Sequence, residues 1–486
     1  MRVSRCMSTQ HPDNVSQPFF SSSPVLGGDD EIKEAFYSYS HLGCNEQLWD
    51  CEGKEVDTHV VKKLLTGYEP FFSKKRLGKD VFLTLRVPNP EYEKSEAKIL
   101  VETLESIPRS FDVANAFYNE SSPPIFEVAL PMVSGAKEVV MLSKFYRDFV
   151  AGKADKTIAG TRVSEWLGSF SPKHIRVIPL IETKEAILDS AKIVEGLVRQ
   201  EKPDDYQRVW LARSDPALNY GCTACVITLK VALQRLSALD LGVEVLPILG
   251  CGSAPFRGNL TPKNTKGVLE GYPTVQTFTL QSAFKYDNPS DEVRSAIQLI
   301  NSTPRKTKPI YVEEGRALTL IDKLSAEYNK QISLISGIVN QMANHIPPKR
   351  RRKLHIGLFG YARKSAKVHL PRAITFCAAL YSYGFPPELL ALNALTERDI
   401  DFITGFYPNF ESDTADALQY LNKDNLKLFP RELVRRLTPA LKRFSFSQNM
   451  KHKKVTDIIA DDFRKQRYSV LQENIGRAAW IRGFLG

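Results

Sequence analysis

The stretch Ile175-Arg176-Val177-Ile178-Pro179-Leu180-Ile181-Glu182-Thr183 is a short apolar run that ends on a carboxylate and a threonine. Directly behind it, Lys184 to Arg199 has the spacing of an amphipathic helix. A second apolar run, Val209 to Ala212, then ends on Arg213-Ser214-Asp215-Pro216. The unit recurs outward in both directions. Val81 to Arg86, Phe126 to Leu130, Val243 to Leu249, Thr274 to Leu280 and Leu354 to Phe359 are further β-rich runs, with helical patterns such as Ala217 to Leu239 between them. Strands that alternate with helices build βαβ units and a parallel sheet. These seven runs, with an eighth less evident, predict an eight-stranded β/α barrel; an open doubly wound sheet is the alternative. Beyond Phe359 the pattern is helical, over Ala373 to Tyr383, Glu388 to Thr404, Asp413 to Leu421 and from Arg431 to the end. The expected organisation is a single catalytic domain, residues 1–486. It comprises an N-terminal segment that contributes to the site (1–80), the barrel (81–360) and a mostly helical C-terminal extension (361–486).

Charged residues gather where the apolar runs end. Arg86 closes one, Pro131 and Met132 follow another, Glu182 closes a third, and Gly250 to Gly258 follow a fourth. In a β/α barrel the carboxyl ends of all strands open onto one face, where the βα loops build the active site. Glu182 and Asp215 would converge there as oxygen ligands for Mg²⁺, which takes one or two carboxylates and keeps several waters. The plainer alternative is that each caps the helix that follows it. Gly250-Cys251-Gly252-Ser253-Ala254-Pro255-Phe256-Arg257-Gly258-Asn259 sets three glycines around an arginine, a setting in which backbone and guanidinium can both approach an anion. It matches neither the Walker nor the dinucleotide pattern. His11, in Ser8-Thr9-Gln10-His11-Pro12-Asp13-Asn14, reads locally as a turn residue, and Arg363 and Arg372 read as surface charges.

Composition narrows the class without choosing within it. Hydrophobic residues make up 43% and charged residues 25%, ordinary for a chain with a buried core. No apolar run approaches a membrane span, and Met1 to Gln10 lacks the apolar stretch of a secretory signal, so a cytoplasmic location is expected. Seven scattered cysteines do not form a disulfide framework, and the lone pair Cys222 and Cys225 is read as helix packing rather than a zinc site. The net charge of +11 suits an anionic partner. The run Lys349-Arg350-Arg351-Arg352-Lys353 is read as a solvated loop in preference to a nucleic-acid patch, since no binding signature accompanies it.

Together these stretches resemble the archaeal-type phosphoenolpyruvate carboxylases. The likeness begins at Met7-Ser8-Thr9-Gln10-His11-Pro12-Asp13-Asn14-Val15 and includes His41 to Lys54, Leu85 to Pro90, Glu127 to Met132, Pro179 to Glu182 and Arg213 to Gly221. It continues through Pro247 to Asn259, Gln281 to Asp287, Gly357 to Arg363 and Leu370 to Pro387, in the family's order and at about its length. The resemblance implies a barrel with extra helices, assembled as a homotetramer and inhibited by aspartate or malate, without nucleic-acid or membrane partners. Its substrates would be phosphoenolpyruvate and bicarbonate, and its cofactor Mg²⁺, with Mn²⁺ as a substitute.

Comparison with the larger bacterial and plant enzymes suggests roles. His11 resembles their catalytic histidine and Arg257 the second arginine of their glycine-rich loop. Glu182 and Asp215 look like the metal ligands, and Arg86, Arg363 and Arg372 like arginines that surround the substrate. Two positions depart from those enzymes: Leu218 stands where they have a lysine and Cys251 where they have the first loop arginine. Either Arg213 and Lys285 replace those charges, or the contacts are absent. The implied reaction passes through carboxyphosphate and an enolate, which must be kept from water, and the loop after Gly250 is expected to close over the site. A metal-dependent lyase or aldolase on the same barrel, and a basic nucleic-acid-binding protein, are the competing readings.

Overall fold

The computed structural model describes residues 3–52, 57–94, 97–351, 364–365 and 368–486. Eight parallel strands close into a barrel: β1 (Cys6–Ser8), β2 (Glu46–Asp50), β3 (Phe82–Arg86), β4 (Glu127–Leu130), β5 (Arg176–Ile181), β6 (Tyr206–Leu211), β7 (Glu244–Leu249) and β8 (Thr277–Leu280). Each strand pairs with its sequence neighbours, and β8 returns to β1 through Cys6↔Phe278, Met7↔Thr279 and Ser8↔Leu280.

Six of the expected runs are barrel strands, but the barrel begins at Cys6 rather than at residue 81. β1 and β2 escape the sequence pattern for a physical reason. β1 has only three residues, and β2 (Glu46-Gln47-Leu48-Trp49-Asp50) carries polar groups at both ends because those ends reach polar layers of the barrel interior. The eight strands close the sheet without Leu354 to Phe359, which lies outside the described residues.

The pleat sorts side chains into an inner and an outer set. Outward residues such as Leu83, Leu85, Val128, Val177, Val209 and Leu211 pack on the surrounding helices. Met7, Leu48, Ala129, Ile178, Leu180, Trp210 and Ile248 form a separate apolar layer in the interior. With both faces buried, the strands read as near-continuous apolar runs.

Beneath the inner layer sits a buried ion cluster. Arg208 donates to Glu46 at 2.7 and 2.9 Å and to Glu127 at 2.8 Å, while Ser4 and Thr84 also donate to Glu46. Burial alone would push both carboxyls up. The charge and hydrogen bonds of Arg208 bring Glu46 below its usual range, whereas Glu127, with fewer donors, remains raised.

Helix boundaries also depart from the sequence pattern. Ala217 to Leu239 is two helices, Ser214–Tyr220 and Cys222–Ser237. Between them Gly221 has φ 93°, and a Cβ there would meet the Tyr328 ring at 3.0 Å. The helix expected from Glu388 starts at Glu397, where Thr396 and Asp399 form a capping box. The C-terminal helices pack against the barrel chiefly through the 30-residue helix Glu314–Ala343 and the helix Ala373–Ser382. Among the described residues no helix is long and apolar enough to cross a membrane.

Arg208→Ala would strand two buried carboxylates and is expected to cost about 3–5 kcal/mol. The stranded carboxyls would have folded pKa values above their unfolded ones, so their contribution to stability is present at low pH and lost as pH rises. Urea denaturation should therefore show a larger deficit at pH about 8 than at about 5. An equal deficit at both would mean that the cluster is not held by charge.

Candidate active site

The inward row of each strand ends, one step above the apolar layer, at a cavity of 570 Å³ on the carboxyl face of the barrel. Its wall includes His11 after β1, Asp50 and Glu52 at β2, Arg86 at β3, Glu182 after β5, Asp215 after β6, Arg257 after β7 and Gln281 after β8. Arg372, from the C-terminal extension, borders the same space. Arg363 lies outside the described residues.

Strand register explains the first pair. Asp50 is the direct neighbour of Arg86, and the guanidinium donates to both its oxygens, at 2.9 and 2.7 Å. Glu52 lies 3.2 Å from Arg86 Nε. Burial disfavours the charge on Arg86, but Asp50 and Glu52 more than offset it and hold the guanidinium protonated.

Glu182 accepts the Met132 N–H at 2.8 Å, and Met132 is held in the left-handed region at φ 58°. Thr183, not Glu182, caps the next helix by accepting the Ala186 N–H. Asp215 stands in the first turn of Ser214–Tyr220 behind the cap position Arg213. Neither carboxylate is the helix cap. Both project from ends of adjacent strands, paired through Ile181↔Leu211, into one cavity.

Arg257 is 1% exposed and its fork is fixed on every side. Nε donates to Ser214 at 3.1 Å, one terminal nitrogen to Asp13 at 3.2 Å and the Gly486 carbonyl at 2.9 Å, and the other to Gln281. Gly252 passes so close that a Cβ would sit 2.9 Å from the guanidinium carbon. Cys251, Ser253, Ala254 and Phe256 are buried as well, and Asn259 is tied to Asp413 and Asp416 at 2.7 and 2.9 Å. The loop expected to close over the site is thus packed on all sides in this structure.

The two expected replacements for the missing charges part company. Arg213 borders the cavity, but its terminal nitrogens engage Tyr272 Oη at 2.8 Å and Pro255 O at 3.2 Å, bracing the 250–259 loop from behind. Lys285 is buried outside the cavity wall, 3.1 Å from Glu34. The described part of the basic run, Lys349 to Arg351, is not wholly solvated either. Lys349, Arg350 and Arg351 line the cavity, and Arg350, 5% exposed, is paired with Glu31 at 2.8 Å and Glu34 at 3.0 Å.

Local pattern gave little sign of Asp50, Glu52, Gln281 or Arg350. A carboxylate at the end of Glu46–Asp50 becomes a signal only once that segment is seen as a strand.

His11 Nδ1 is 2.9 Å from Thr9 Oγ1. Burial, then the charges of Arg86, Arg257 and Arg350, push its pKa well below the ordinary 6.5, against the opposing pull of Asp50. The ring is therefore neutral near pH 7.

The phosphoenolpyruvate carboxylase family model matches residues 3–486. The chain belongs to the phosphoenolpyruvate carboxylase family. Two phosphoenolpyruvate carboxylases are 48% identical (Methanospirillum hungatei) and 49% identical (Methanothermobacter thermautotrophicus), each aligned over 100% of both chains. A third, from Pyrococcus abyssi, is 46% identical over the same full coverage. In this member of the family the carboxylate pair and the arginines occupy the barrel face on which β/α enzymes place their chemistry.

Arg257→Lys keeps the charge but cannot fill the positions met by Ser214, Asp13 and Gln281 together. It is expected to lower kcat/KM for phosphoenolpyruvate by about 100-fold, with circular dichroism unchanged. Wild-type kinetics in the lysine variant would reduce Arg257 to a counter-charge.

Proposed function

We propose that the chain joins bicarbonate to phosphoenolpyruvate, giving oxaloacetate and phosphate, in a Mg²⁺-dependent reaction. The observation that carries this is the convergence of Arg86, Arg257, Arg372, His11, Glu182 and Asp215 on one cavity in a chain of this family. Among the described residues no cluster of three or more His, Cys, Asp or Glu side chains is arranged to hold a metal. Glu182 and Asp215, which line one cavity from adjacent strands, form an all-oxygen pair that would hold Mg²⁺, with Mn²⁺ as a substitute. When bound, it supplies positive charge where the phosphate and the enolate oxygen carry negative charge.

The chain's own groups do the remaining work. Arg86 and Arg257, fixed before substrate arrives, and Arg372, whose Nε has no hydrogen-bond partner among the described residues, neutralise phosphate and carboxylate oxygens. Arg363 joins them in this reading. Bicarbonate attacks phosphorus, forming carboxyphosphate and the pyruvate enolate. His11, neutral in its buried setting, takes the carboxyl proton of carboxyphosphate as that species breaks to CO₂ and phosphate. The enolate carbon then attacks CO₂. Val25, Ile346, Ile374 and Leu485 give the 570 Å³ cavity apolar stretches of wall beside its charged groups, which reduce the water that can reach the enolate. The family resemblance also supports a cytoplasmic homotetramer inhibited by aspartate or malate.

A coupled assay should show oxaloacetate only when bicarbonate is present; formation without it would favour a lyase or aldolase instead. Asp215→Asn and Glu182→Gln should each lower kcat by more than about 100-fold, beyond the loss of a single preorganised contact, and abolish phosphate release in step with oxaloacetate. Near-normal turnover of either variant at limiting Mg²⁺ would remove the metal assignment.

A further inference from the structure

His11 is held from behind, by contacts that run into the barrel wall. Its Nδ1 faces Thr9 Oγ1 at 2.9 Å. Thr9 is fully buried, and its hydroxyl has an acceptor of its own, the Leu280 carbonyl, at 3.4 Å. The Thr9 N–H donates to the same carbonyl at 2.9 Å. The Thr9 carbonyl in turn accepts the Lys285 ammonium at 2.9 Å, and that ammonium also donates to Ser8 Oγ at 3.0 Å and to Glu34 at 3.1 Å.

Glu34 is the fixed point of this chain. It accepts Arg350 at 3.0 and 3.1 Å, Tyr286 at 2.8 Å and Gln10 at 3.4 Å, besides Lys285. Burial would raise its pKa, but Arg350 and Lys285 outweigh burial and hold the carboxyl well below its usual range. Burial lowers the pKa of Lys285, and the charge on Glu34 partly offsets it by favouring the ammonium form. Lys285 thus clamps Thr9, and Thr9 meets the imidazole.

We infer that Thr9, clamped by the Lys285–Glu34 pair, is a positioning residue that selects the tautomer of His11. With its hydroxyl hydrogen turned to Leu280 O, Thr9 Oγ1 offers a lone pair to His11 Nδ1–H. The neutral ring then carries its proton on Nδ1, and Nε2 presents a lone pair to the cavity. The inference rests on the role proposed above for His11. The carboxyl O–H of carboxyphosphate gives its proton to Nε2 while the bond from carbon to the bridging oxygen breaks. The electron pair leaves with phosphate, CO₂ goes to the enolate, and the imidazolium returns the proton to phosphate. A ring protonated on Nε2 carries its lone pair on Nδ1, against Thr9, and has none facing the cavity to accept that proton.

The test compares wild type, His11→Asn, Thr9→Val, Thr9→Ser and Lys285→Met, measuring pyruvate and oxaloacetate formed per phosphate released. A defect of packing alone lowers the amount of active enzyme and leaves that product ratio unchanged. Thr9→Val should raise the pyruvate share about fivefold, the effect of one neutral hydrogen bond, without changing KM for phosphoenolpyruvate. Thr9→Ser, which restores the hydroxyl, should keep the wild-type ratio. Lys285→Met should shift the ratio in the direction of Thr9→Val, and it carries the test if Thr9→Val does not fold, since Arg350 and Tyr286 still satisfy Glu34. A wild-type ratio in Thr9→Val or Lys285→Met, beside a raised ratio in His11→Asn, overturns the inference while leaving His11 its role. A raised ratio in Thr9→Ser overturns it too. A wild-type ratio in His11→Asn removes the proposed role of His11 and the inference with it.

Discussion

In a closed parallel barrel the pleat turns every second side chain of every strand into one shared interior, and that constraint governs this molecule. On β2 the inward row is Glu46, Leu48, Asp50; on β5 it is Ile178, Leu180, Glu182; on β6 it is Arg208, Trp210, Ala212. The same two-residue step carries each strand from the lower end of the barrel, through an apolar plug, to the upper face. Where the lowest inward residues are ionic, as in the cluster of Arg208 with Glu46 and Glu127, they are satisfied by one another. The apolar plug separates that cluster from the carboxylates and arginines of the cavity. A slip of one residue in any strand would exchange its inner and outer rows and lose both.

Most cations in and around the cavity are already committed. Arg86 is gripped by Asp50, Arg257 by Asp13 and Gln281, and Arg350 by Glu31 and Glu34. Burying such charges costs free energy that their partners must offset. The return is preorganisation: a guanidinium fixed before the substrate arrives needs little rearrangement as charge develops. The packing of the 250–259 loop serves the same end. Its glycines allow close approach, to the Arg257 guanidinium itself at Gly252.

The N-terminal segment is woven into the site by the same economy of buried charge. Asp13 accepts the Ala283 N–H at 2.7 Å and a nitrogen of Arg257 at 3.2 Å, and its carbonyl receives the Leu485 N–H at 2.7 Å. Asp287 accepts the N–H groups of Val15 and Ser16, each at 2.7 Å, and Lys349 donates to the Val15 carbonyl at 2.6 Å. Arg257 from the loop after β7, Ala283 and Asp287 just beyond β8, Lys349 of the basic run and Leu485 at the C-terminus thus fix one short loop, and His11 sits in it.

Sequence alone narrowed the fold to a β/α barrel or an open doubly wound sheet, because strands buried on both faces must be apolar throughout and alternate with amphipathic helices; closure into a barrel was decided by the tertiary structure. It also marked Glu182 and Asp215 as carboxylates directly after such runs, but only the structure separated cavity residues from helix caps. It did not determine β1, which has only three residues, or β2, whose polar ends suit the barrel's interior layers and so hide the apolar signal. Nor did it separate Arg257, which meets the cavity, from Lys285, which turns away to Glu34, or show that Arg350 is buried rather than solvated. Those distinctions depend on which charges meet across 240 and more residues of chain, as Asp13 and Arg257 or Glu34 and Lys285 do. Only closure of the barrel brings such partners within hydrogen-bonding distance.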